Sequence, residues 1–221
     1  MLTKAQEKTI RSLQQKKNRE ESGLCLVEGA KVIETAGEAV QFTFTHDDTP
    51  EFDRLVTTEA PQDVAAVARI PRWSEENIAE SPILVILDGV QDPGNVGAIL
   101  RLCLGFGAAL LLIESADATA PKVVRASAGA MFQVPWLKMA PDQAADYLDA
   151  CGRKIFRLEK REGAVSPKVL NMQGRIALIA GSEGQGIRLT TAGTSIEIPH
   201  DPRLESLNVT HALAIALYSA Q

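Results

Sequence analysis

Apolar runs alternate with amphipathic segments along the chain from residue 82 onward, and this pattern predicts strands that alternate with helices. Five apolar runs predict strands at residues 83–87, 109–113, 154–158, 176–180 and 195–198. The remaining segments predict helices near residues 95–106, 121–130, 142–151 and 208–220. Continuous apolar strands in this order are typical of a parallel sheet that is covered by helices on both faces. This part of the chain is therefore predicted to be an α/β domain, for which an unknotted doubly wound fold is the ordinary expectation.

The first eighty residues show a shorter pattern. Their first seventeen positions place Leu2, Ala5, Ile10 and Leu13 near helical spacing. Further apolar runs predict strands at residues 24–27, 41–45 and 64–68, with a short helix through Ala36. A polar stretch that begins with Pro71 then indicates a domain boundary at residues 70–80. The chain is therefore predicted to hold a small α/β domain at residues 1–78 and a larger one at residues 79–221.

The charge of the chain is unevenly distributed. At 221 residues and 45% hydrophobic content, the chain is long enough for a catalytic domain with a small companion. Its formal net charge of −5 argues against avid, unspecific binding to nucleic acid. Residues 1–19, however, hold six basic residues against one acidic residue, whereas residues 36–64 hold seven acidic residues against one basic residue. A phosphate backbone would contact the first segment, although a solvated helix face would give the same pattern and is favoured by charge alone.

Several classes of protein are disfavoured by the sequence. No apolar stretch approaches the roughly 18 residues of a membrane span, and the N-terminal residues lack the apolar region of a signal peptide. A cytoplasmic protein is therefore predicted. The three cysteines and three histidines are scattered and form no CxxC pair, so neither a disulfide framework nor a metal site is predicted.

Three polar motifs lie at the ends of predicted strands. They are NVGAILR at residues 95–101, GSEGQG at residues 181–186 and ESLNVT at residues 205–210. An open α/β sheet forms its ligand crevice at the carboxyl ends of its strands. The three motifs are therefore predicted to form one site.

The residues of the first motif allow two interpretations. Asn95 opens a helix, so it is either an N-cap residue or a site residue. Arg101 follows six residues later, about 9 Å along a helix axis. Helical side chains lean toward the N-terminus, so the Arg101 guanidinium can reach the pocket of Asn95. A surface arginine without a function is the alternative.

The glycine-rich motif differs from phosphate-binding loops, because its GxxGxG spacing matches neither the dinucleotide fingerprint nor the Walker pattern. Glu183 would repel a pyrophosphate but suits a cationic ligand. The glycines by themselves are explained by a turn of the chain. Together with Glu183 they favour a loop that binds a ligand. In the third motif, Ser206 and Asn208 are either site residues or helix-start residues.

Together these motifs resemble the SpoU (TrmH-like) family of RNA ribose 2′-O-methyltransferases, which belong to the SPOUT class and use S-adenosylmethionine. The resemblance extends over the last 140 residues or so of the chain. It implies a C-terminal trefoil knot in the parallel sheet and a homodimer. It also implies that the active site contains Asn95, Arg101, Glu183, Ser206 and Asn208. The implied cofactor contacts are Gly181, Ile198 and Leu207.

The small domain resembles the substrate-binding domain that precedes many SpoU catalytic domains. The resemblance rests on KKNR at residues 16–19, LVEG at residues 26–29 and PQDVAAV at residues 61–67. It implies that RNA, ribosomal rather than transfer RNA, is contacted by Lys16, Lys17 and Arg19. Arg125 lies in a further matching segment, where it either holds a phosphate or is a surface charge. Two alternatives to a methyltransferase remain. One is a non-catalytic RNA-binding or ribosome-assembly protein. The other is a Rossmann nucleotide enzyme, which is disfavoured because no GxGxxG motif follows a predicted strand.

Overall fold

A computed structural model describes residues 1–58, 63–170 and 174–221. Its first part forms a three-stranded antiparallel sheet with the order β1-β3-β2. The strands are β1 (Leu24–Glu28), β2 (Val40–Thr45) and β3 (Val64–Arg69). The accompanying helices are α1 (Lys4–Ser12), α2 (Lys16–Ser22), α3 (Ala30–Ala36) and α4 (Phe52–Leu55), and α5 (Glu75–Glu80) follows before the large sheet begins.

The second part forms a six-stranded sheet with the order β6-β5-β4-β8-β7-β9, in which every pairing is parallel. Its strands are β4 (Ile83–Asp88), β5 (Ala108–Ile113), β6 (Trp136–Met139), β7 (Lys154–Leu158), β8 (Ile176–Gly181) and β9 (Thr194–Ile196). The helices are α6 (Pro93–Phe106), α7 (Pro121–Ala126), α8 (Pro141–Ala150) and α9 (Val209–Ser219). The predicted parallel α/β sheet is confirmed.

Both faces of the large sheet are buried, as the continuous apolar strands predict. Val85 and Leu87 of β4 belong to one apolar cluster, which also contains side chains of α6, α7 and α9. Leu84 and Ile86 belong to a second cluster with side chains of α5 and α8. Successive side chains of a strand point to opposite faces, so each strand contributes to two cores. The carboxyl ends of β4 and β8, which pair directly, carry the first two of the three motifs.

The structure differs from the sequence prediction at several elements. The first helix is two helices, because the chain breaks after Leu13 before it enters α2. The helix predicted at residues 121–130 ends at Ala126, because Ala128 and Gly129 adopt positive φ angles of 49° and 91°. The apolar pattern does not predict strand β6, and β9 ends at Ile196. In the described part of the chain, no helix is both long and apolar enough to cross a membrane.

The two parts share one apolar core. Cys25 and Val27 of β1 belong to the same buried cluster as Val96 and Leu100 of α6. Two ion pairs with N···O distances of 2.6 Å also join the parts, one between Arg19 and Asp117 and one between Arg125 and Glu28. The small domain is therefore docked on the large one through both apolar and charged contacts.

The Arg19–Asp117 pair is expected to make the free energy of unfolding depend on pH. Burial alone would raise the pKa of Asp117, but the hydrogen bonds from Arg19 and Thr119 outweigh burial and lower it. A carboxyl group with a lowered pKa in the folded state stabilises the fold above its unfolded pKa of about 4, and this contribution is lost as the pH falls through the folded value.

Replacing Asp117 with asparagine is therefore expected to lower the free energy of unfolding by about 1–3 kcal/mol at pH 7. The difference from the parent protein should shrink below about pH 4. Urea denaturation at a series of pH values measures this difference in the free energy of unfolding. The Asp149→Asn variant, in which an exposed aspartate is replaced, is the control. A difference that stays constant down to low pH would contradict the assignment.

Candidate active site

Asn95 is not the N-cap of its helix. Asp92 holds that position, and its Oδ1 accepts a hydrogen bond from the Asn95 backbone nitrogen at 2.8 Å. The Asn95 side chain is thereby left for other contacts. Its Oδ1 accepts hydrogen bonds from Asn208 Nδ2 at 3.0 Å and from Thr210 Oγ1 at 3.3 Å. The N-cap alternative for Asn95 is therefore wrong.

Asn208 joins the three motifs. It is the N-cap of α9, where its Oδ1 accepts a hydrogen bond from the Thr210 backbone nitrogen at 2.9 Å. Its Nδ2 donates both to Asn95 Oδ1 and to Glu183 Oε1, each at 3.0 Å. We call Asn95, Asn208 and Glu183 the polar row. The structure therefore brings the three motifs into contact, while their function as one site stays a prediction.

The glycine-rich loop turns back sharply on itself. The Gly186 backbone nitrogen donates to the Ser182 carbonyl at 2.9 Å, and the Gln185 nitrogen donates to Ser182 Oγ at 3.2 Å. A Cβ atom on Gly181 would lie 2.1 Å from the carbonyl carbon and oxygen of Gly186 and 2.4 Å from the Ile187 nitrogen. Glycine is therefore required at position 181 for the loop to close.

Asp88 fixes the chain that follows this loop. Its carboxylate is buried at the end of β4 and accepts hydrogen bonds from the backbone nitrogens of Arg188 at 2.5 Å and Leu189 at 2.8 Å. The Arg188 Nη2 atom also lies 3.1 Å from Asp88 and 2.8 Å from Glu114. The hydrogen bond to Asp88 is the main reason that the pKa of Arg188 is raised. The sequence motifs include neither Arg188 nor Glu114.

One cavity lies between the glycine-rich loop and the start of α9. It has a volume of about 390 Å³ and is lined by Leu158, Glu159, Lys160, Gly181, Glu183, Ser206 and Leu207, among others. A neighbouring cavity of about 130 Å³ shares Ser206 and Leu207 with it and adds Ile198. We call the two together the cofactor cavity. All three predicted cofactor residues line it, although Ile198 and Gly181 lie in different lobes.

The cofactor cavity fits S-adenosylmethionine. Its main lobe lies in the range of about 300–1,000 Å³ that is usual for small-molecule sites. Leu158 and Leu207 offer apolar surface for a planar ring, while Glu159 and Glu183 place carboxylates where a sulfonium would be stabilised. Arg157 and Ser195 hydrogen-bond to Glu159 and, against the effect of burial, lower its pKa, so this carboxylate stays charged at neutral pH.

A second cavity of about 590 Å³ adjoins the first. It is lined by Gly89, Val90, Gln91, Asp92, Asn95, Glu114, Ser182, Glu183, Gln185, Arg188 and Val209. We call it the outer cavity. Glu183 lines both cavities, so the polar row stands where they meet.

The structure does not bring Arg101 into either cavity. Its side chain is exposed on α6, and in the described part of the chain no hydrogen bond or ion pair holds it. The rise of six helical residues, about 9 Å, separates it from Asn95. The prediction that Arg101 shares the pocket of Asn95 is therefore not met within a single chain.

Two of the four predicted RNA contacts lie in the interface between the parts. The Arg19 side chain is 4% exposed, and its guanidinium donates to Asp117, Thr119 and two backbone carbonyls. A phosphate cannot reach it, so the RNA-binding role predicted for Arg19 is wrong. Arg125 donates to Glu28 and Thr57, so its charge is already matched.

The other two predicted contacts are accessible. Lys16 and Lys17 are exposed on α2, and each lies 3.8 Å from a glutamate one turn later. Pro61 and Gln62, which belong to the N-terminal resemblance, lie outside the described residues. Within the described ranges, no group of three or more His, Cys, Asp or Glu residues is placed to hold a metal ion.

Comparison with known proteins gives two family matches. Residues 82–218 match the model of the SpoU rRNA Methylase family, and residues 4–45 match that of the MRM3-like substrate binding domain. The 23S rRNA (guanosine(2553)-2′-O)-methyltransferase RlmP of Bacillus subtilis (strain 168) is 30% identical over 96% of this chain and 94% of its own length.

Two solved structures share the whole architecture. An AdoMet-bound rRNA methyltransferase from Sinorhizobium meliloti superposes with a TM-score of 0.83 at 26% identity, covering 100% of this chain and 95% of that one. The SpoU methyltransferase AviRb from Streptomyces viridochromogenes, in complex with the cofactor AdoMet, gives 0.81 at 25% identity, with coverages of 98% and 97%. With the family model matched over more than half of its length, this chain belongs to the SpoU rRNA methylase family.

Proposed function

We propose that the protein transfers a methyl group from S-adenosylmethionine to a ribose 2′-hydroxyl of ribosomal RNA, in the cytoplasm. The observation that carries the proposal is the polar row, which stands between a cavity that fits the cofactor and an open cavity with room for a nucleotide. The ribosomal RNA specificity in the names of relatives such as RlmP supports the substrate class.

The cofactor is held by the residues that line its cavity. Backbone groups of Gly181, Ile198 and Leu207 would hold the adenine of the cofactor, with the Leu207 side chain as the apolar surface for its ring. When bound, S-adenosylmethionine supplies an electrophilic methyl group on a positively charged sulfur. The Glu183 carboxylate stabilises that charge and is itself oriented by Asn208.

The chain supplies positioning and charge stabilisation for the reaction. Asn95, Ser206 and Asn208 orient the ribose so that its oxygen is in line with the methyl group. The hydroxyl is a very weak acid, so negative charge develops on this oxygen in the transition state. Arg101 lies outside both cavities of its own chain, so we infer that its guanidinium reaches the site of a second copy. Because a guanidinium remains protonated in proteins, Arg101 stabilises this charge there rather than acting as a base.

The exposed position of Arg101 fits a homodimer. Helices α6 and α9 pack against each other, and apolar side chains of Leu104, Ile215 and Tyr218 remain exposed on them. We propose that a second copy covers this face beside Arg101. Ala216 of α9 and Ala220 just after it are buried in the core of the single chain, so they do not belong to this exposed face. Light scattering at micromolar concentration distinguishes the dimer from a monomer.

We also propose a knotted C-terminal segment and a division of the chain into two domains. A C-terminal trefoil knot, in which the chain before α9 threads through a loop, is supported by membership of the SpoU family. A division into residues 1–78 and 79–221 is supported by the separate family matches. Residue 78 lies within α5, and Ile78 packs with Leu84 and Ile86 of the large sheet, so we move the boundary from residue 78 to just before this helix.

Radiolabel transfer from S-adenosylmethionine tests the function directly. Total RNA from cells that lack the gene should accept label in ribosomal RNA, and the label should remain on ribose after alkaline hydrolysis. Label in transfer RNA alone would overturn the substrate class. Absence of transfer into any RNA, with RNA binding retained, would favour the non-catalytic alternative.

Charge reversal of Lys16 and Lys17 tests the RNA platform in the full-length chain. Phosphate contacts release counterions, so the double variant should bind RNA more weakly and with a shallower dependence on salt, by about one unit of slope per lost contact. A matched control reverses the charges of Lys154 and Arg175. Both are exposed at the amino ends of β7 and β8, whereas the candidate site lies at the carboxyl ends of the strands. Equal salt slopes in the two double variants would contradict the platform.

A further inference from the structure

The outer cavity has a wall that is built from two loops joined by hydrogen bonds. The Gly89 nitrogen donates to the Ile113 carbonyl and the Ala116 nitrogen donates to the Val90 carbonyl, both at 2.9 Å. Ser115 Oγ accepts from the Val90 nitrogen at 3.0 Å. The segment after β4 and the segment after β5 are therefore fixed relative to each other. A side chain that projects from this wall is held in place.

Glu114 stands in this wall in a strained conformation. Its φ angle is +43°, in the left-handed region that residues other than glycine rarely adopt. Such conformations cost about 1–3 kcal/mol and cluster at functional sites. The side chain is 53% exposed and not buried in the core, so packing of the carboxylate does not explain the strain.

Arg188 and Glu114 form a fixed pair with unused hydrogen-bonding capacity. The Nη2 atom of Arg188 contacts both Asp88 and Glu114. A guanidinium has five N–H donors, and in the described part of the chain those on Nε and Nη1 of Arg188 have no acceptor. Glu114 likewise has one carboxylate oxygen without a contact among these residues. The pair thus offers donors beside an acceptor at the edge of the cavity.

The charge of the outer cavity disfavours a phosphate. Asp92, Glu114 and Glu183 line it, against Arg188 as the cation, which Asp88 also neutralises. A phosphate would be repelled by this excess of carboxylates, whereas a neutral ring that carries N–H donors would be stabilised.

We propose that the outer cavity binds the base of the methylated nucleotide and that the Glu114–Arg188 pair selects guanine. This inference rests on the proposed function. Sequence-specific recognition of RNA commonly uses unstacked bases, which are read on their hydrogen-bonding edges. Guanine offers two adjacent donors, N1–H and the N2 amino group, which a carboxylate accepts together, and its O6 accepts from the guanidinium. Adenine, cytosine and uracil do not offer two adjacent donors beside an acceptor.

The first experiment identifies the product nucleoside. Ribosomal RNA from cells lacking the gene is methylated by the full-length enzyme, digested to nucleosides and analysed by mass spectrometry. The expected product is 2′-O-methylguanosine. A different 2′-O-methylnucleoside would overturn the guanine inference and leave the proposed function intact, whereas no methylated product would overturn the proposed function itself.

The second experiment tests the residue pair on a synthetic RNA that spans the mapped position, with guanosine or inosine at the target. Inosine lacks the N2 amino group, so the parent enzyme should show a kcat/KM about fivefold or more lower on it, within the range of base discrimination by paired hydrogen bonds. The Glu114→Gln variant should lose most of this preference, because an amide cannot accept from both donors.

Two controls make the result specific. Glu76→Gln, an exposed glutamate on α5, should retain the parental preference. Calorimetry should show that Glu114→Gln binds the demethylated cofactor with parental affinity, which confirms that the variant is folded. An unchanged preference for guanosine over inosine in Glu114→Gln would show that this carboxylate does not read the base.

Discussion

The Arg101→Ala variant is expected to lose methyl transfer by about 10²–10³-fold in kcat, the usual cost of removing one group that stabilises developing charge. Arg101 is exposed and makes no hydrogen bond or ion pair within the described residues, so the substitution removes no contact that supports the fold. The affinity for S-adenosylmethionine should therefore stay within a few-fold of the parent, because the lost interaction forms only in the transition state.

Single-turnover transfer to ribosomal RNA and calorimetric titration with the cofactor measure the two quantities separately. Arg72→Ala, which removes an arginine of the segment between the two domains, is the matched control and should retain both. Near-parental transfer by Arg101→Ala would show that the charge on the ribose oxygen is stabilised by another group.

The Gly181→Ala variant is expected to lose cofactor binding. The added Cβ would lie 2.1 Å from backbone atoms of Gly186, and a clash with backbone cannot be relieved by rotation of a side chain. The loop must open, which displaces Glu183 and the wall of the cofactor cavity. Overpacking of this kind costs about 1–3 kcal/mol, which corresponds to about five- to 150-fold in affinity.

Gly184 provides a control in the same loop. A Cβ on Gly184 would meet no atom within 4 Å, so Gly184→Ala should bind the cofactor with parental affinity. Calorimetric titration measures the affinity of both variants for the cofactor. Equal affinities would mean that the loop opens without affecting the cofactor cavity.

The large sheet is predictable because its central strands are buried on both faces. Strand β4 is apolar up to Asp88, and a short continuous apolar run of this kind is typical of a fully buried parallel strand. Strand β6 escapes prediction because it is a four-residue edge strand that contains exposed Lys138 and pairs with β5 alone. At an edge, pairing with the neighbour decides the conformation more than the local pattern does.

The site residues also divide into those that a local sequence pattern predicts and those that depend on contacts with distant parts of the chain. Asn95, Glu183 and Asn208 lie in motifs, and the structure brings them together, while their roles remain predictions. Burial of Arg19 is not predictable, because its carboxylate partner is 98 residues away in sequence. A basic residue in a helical segment has the same local pattern whether it contacts phosphate or a distant aspartate.

Glu114 and Arg188 escape prediction for a related reason. Neither lies in one of the three motifs, and their contact depends on how the segments after β5 and β8 approach each other. The positive φ of Glu114 is a property of the folded chain and leaves no signal in the sequence.

The polar row also has a consequence for the order of folding. Asn208 is 113 residues from Asn95 and 25 from Glu183, and the same side chain caps α9. The contact with Asn95 closes a loop of more than a hundred residues, and closing such a loop costs entropy before the contact can stabilise the fold. A molecule in which the last helix has frayed loses the helix cap and the link between the two cavities together. We therefore expect methyl transfer only from molecules in which α9 has formed and its cap is in place.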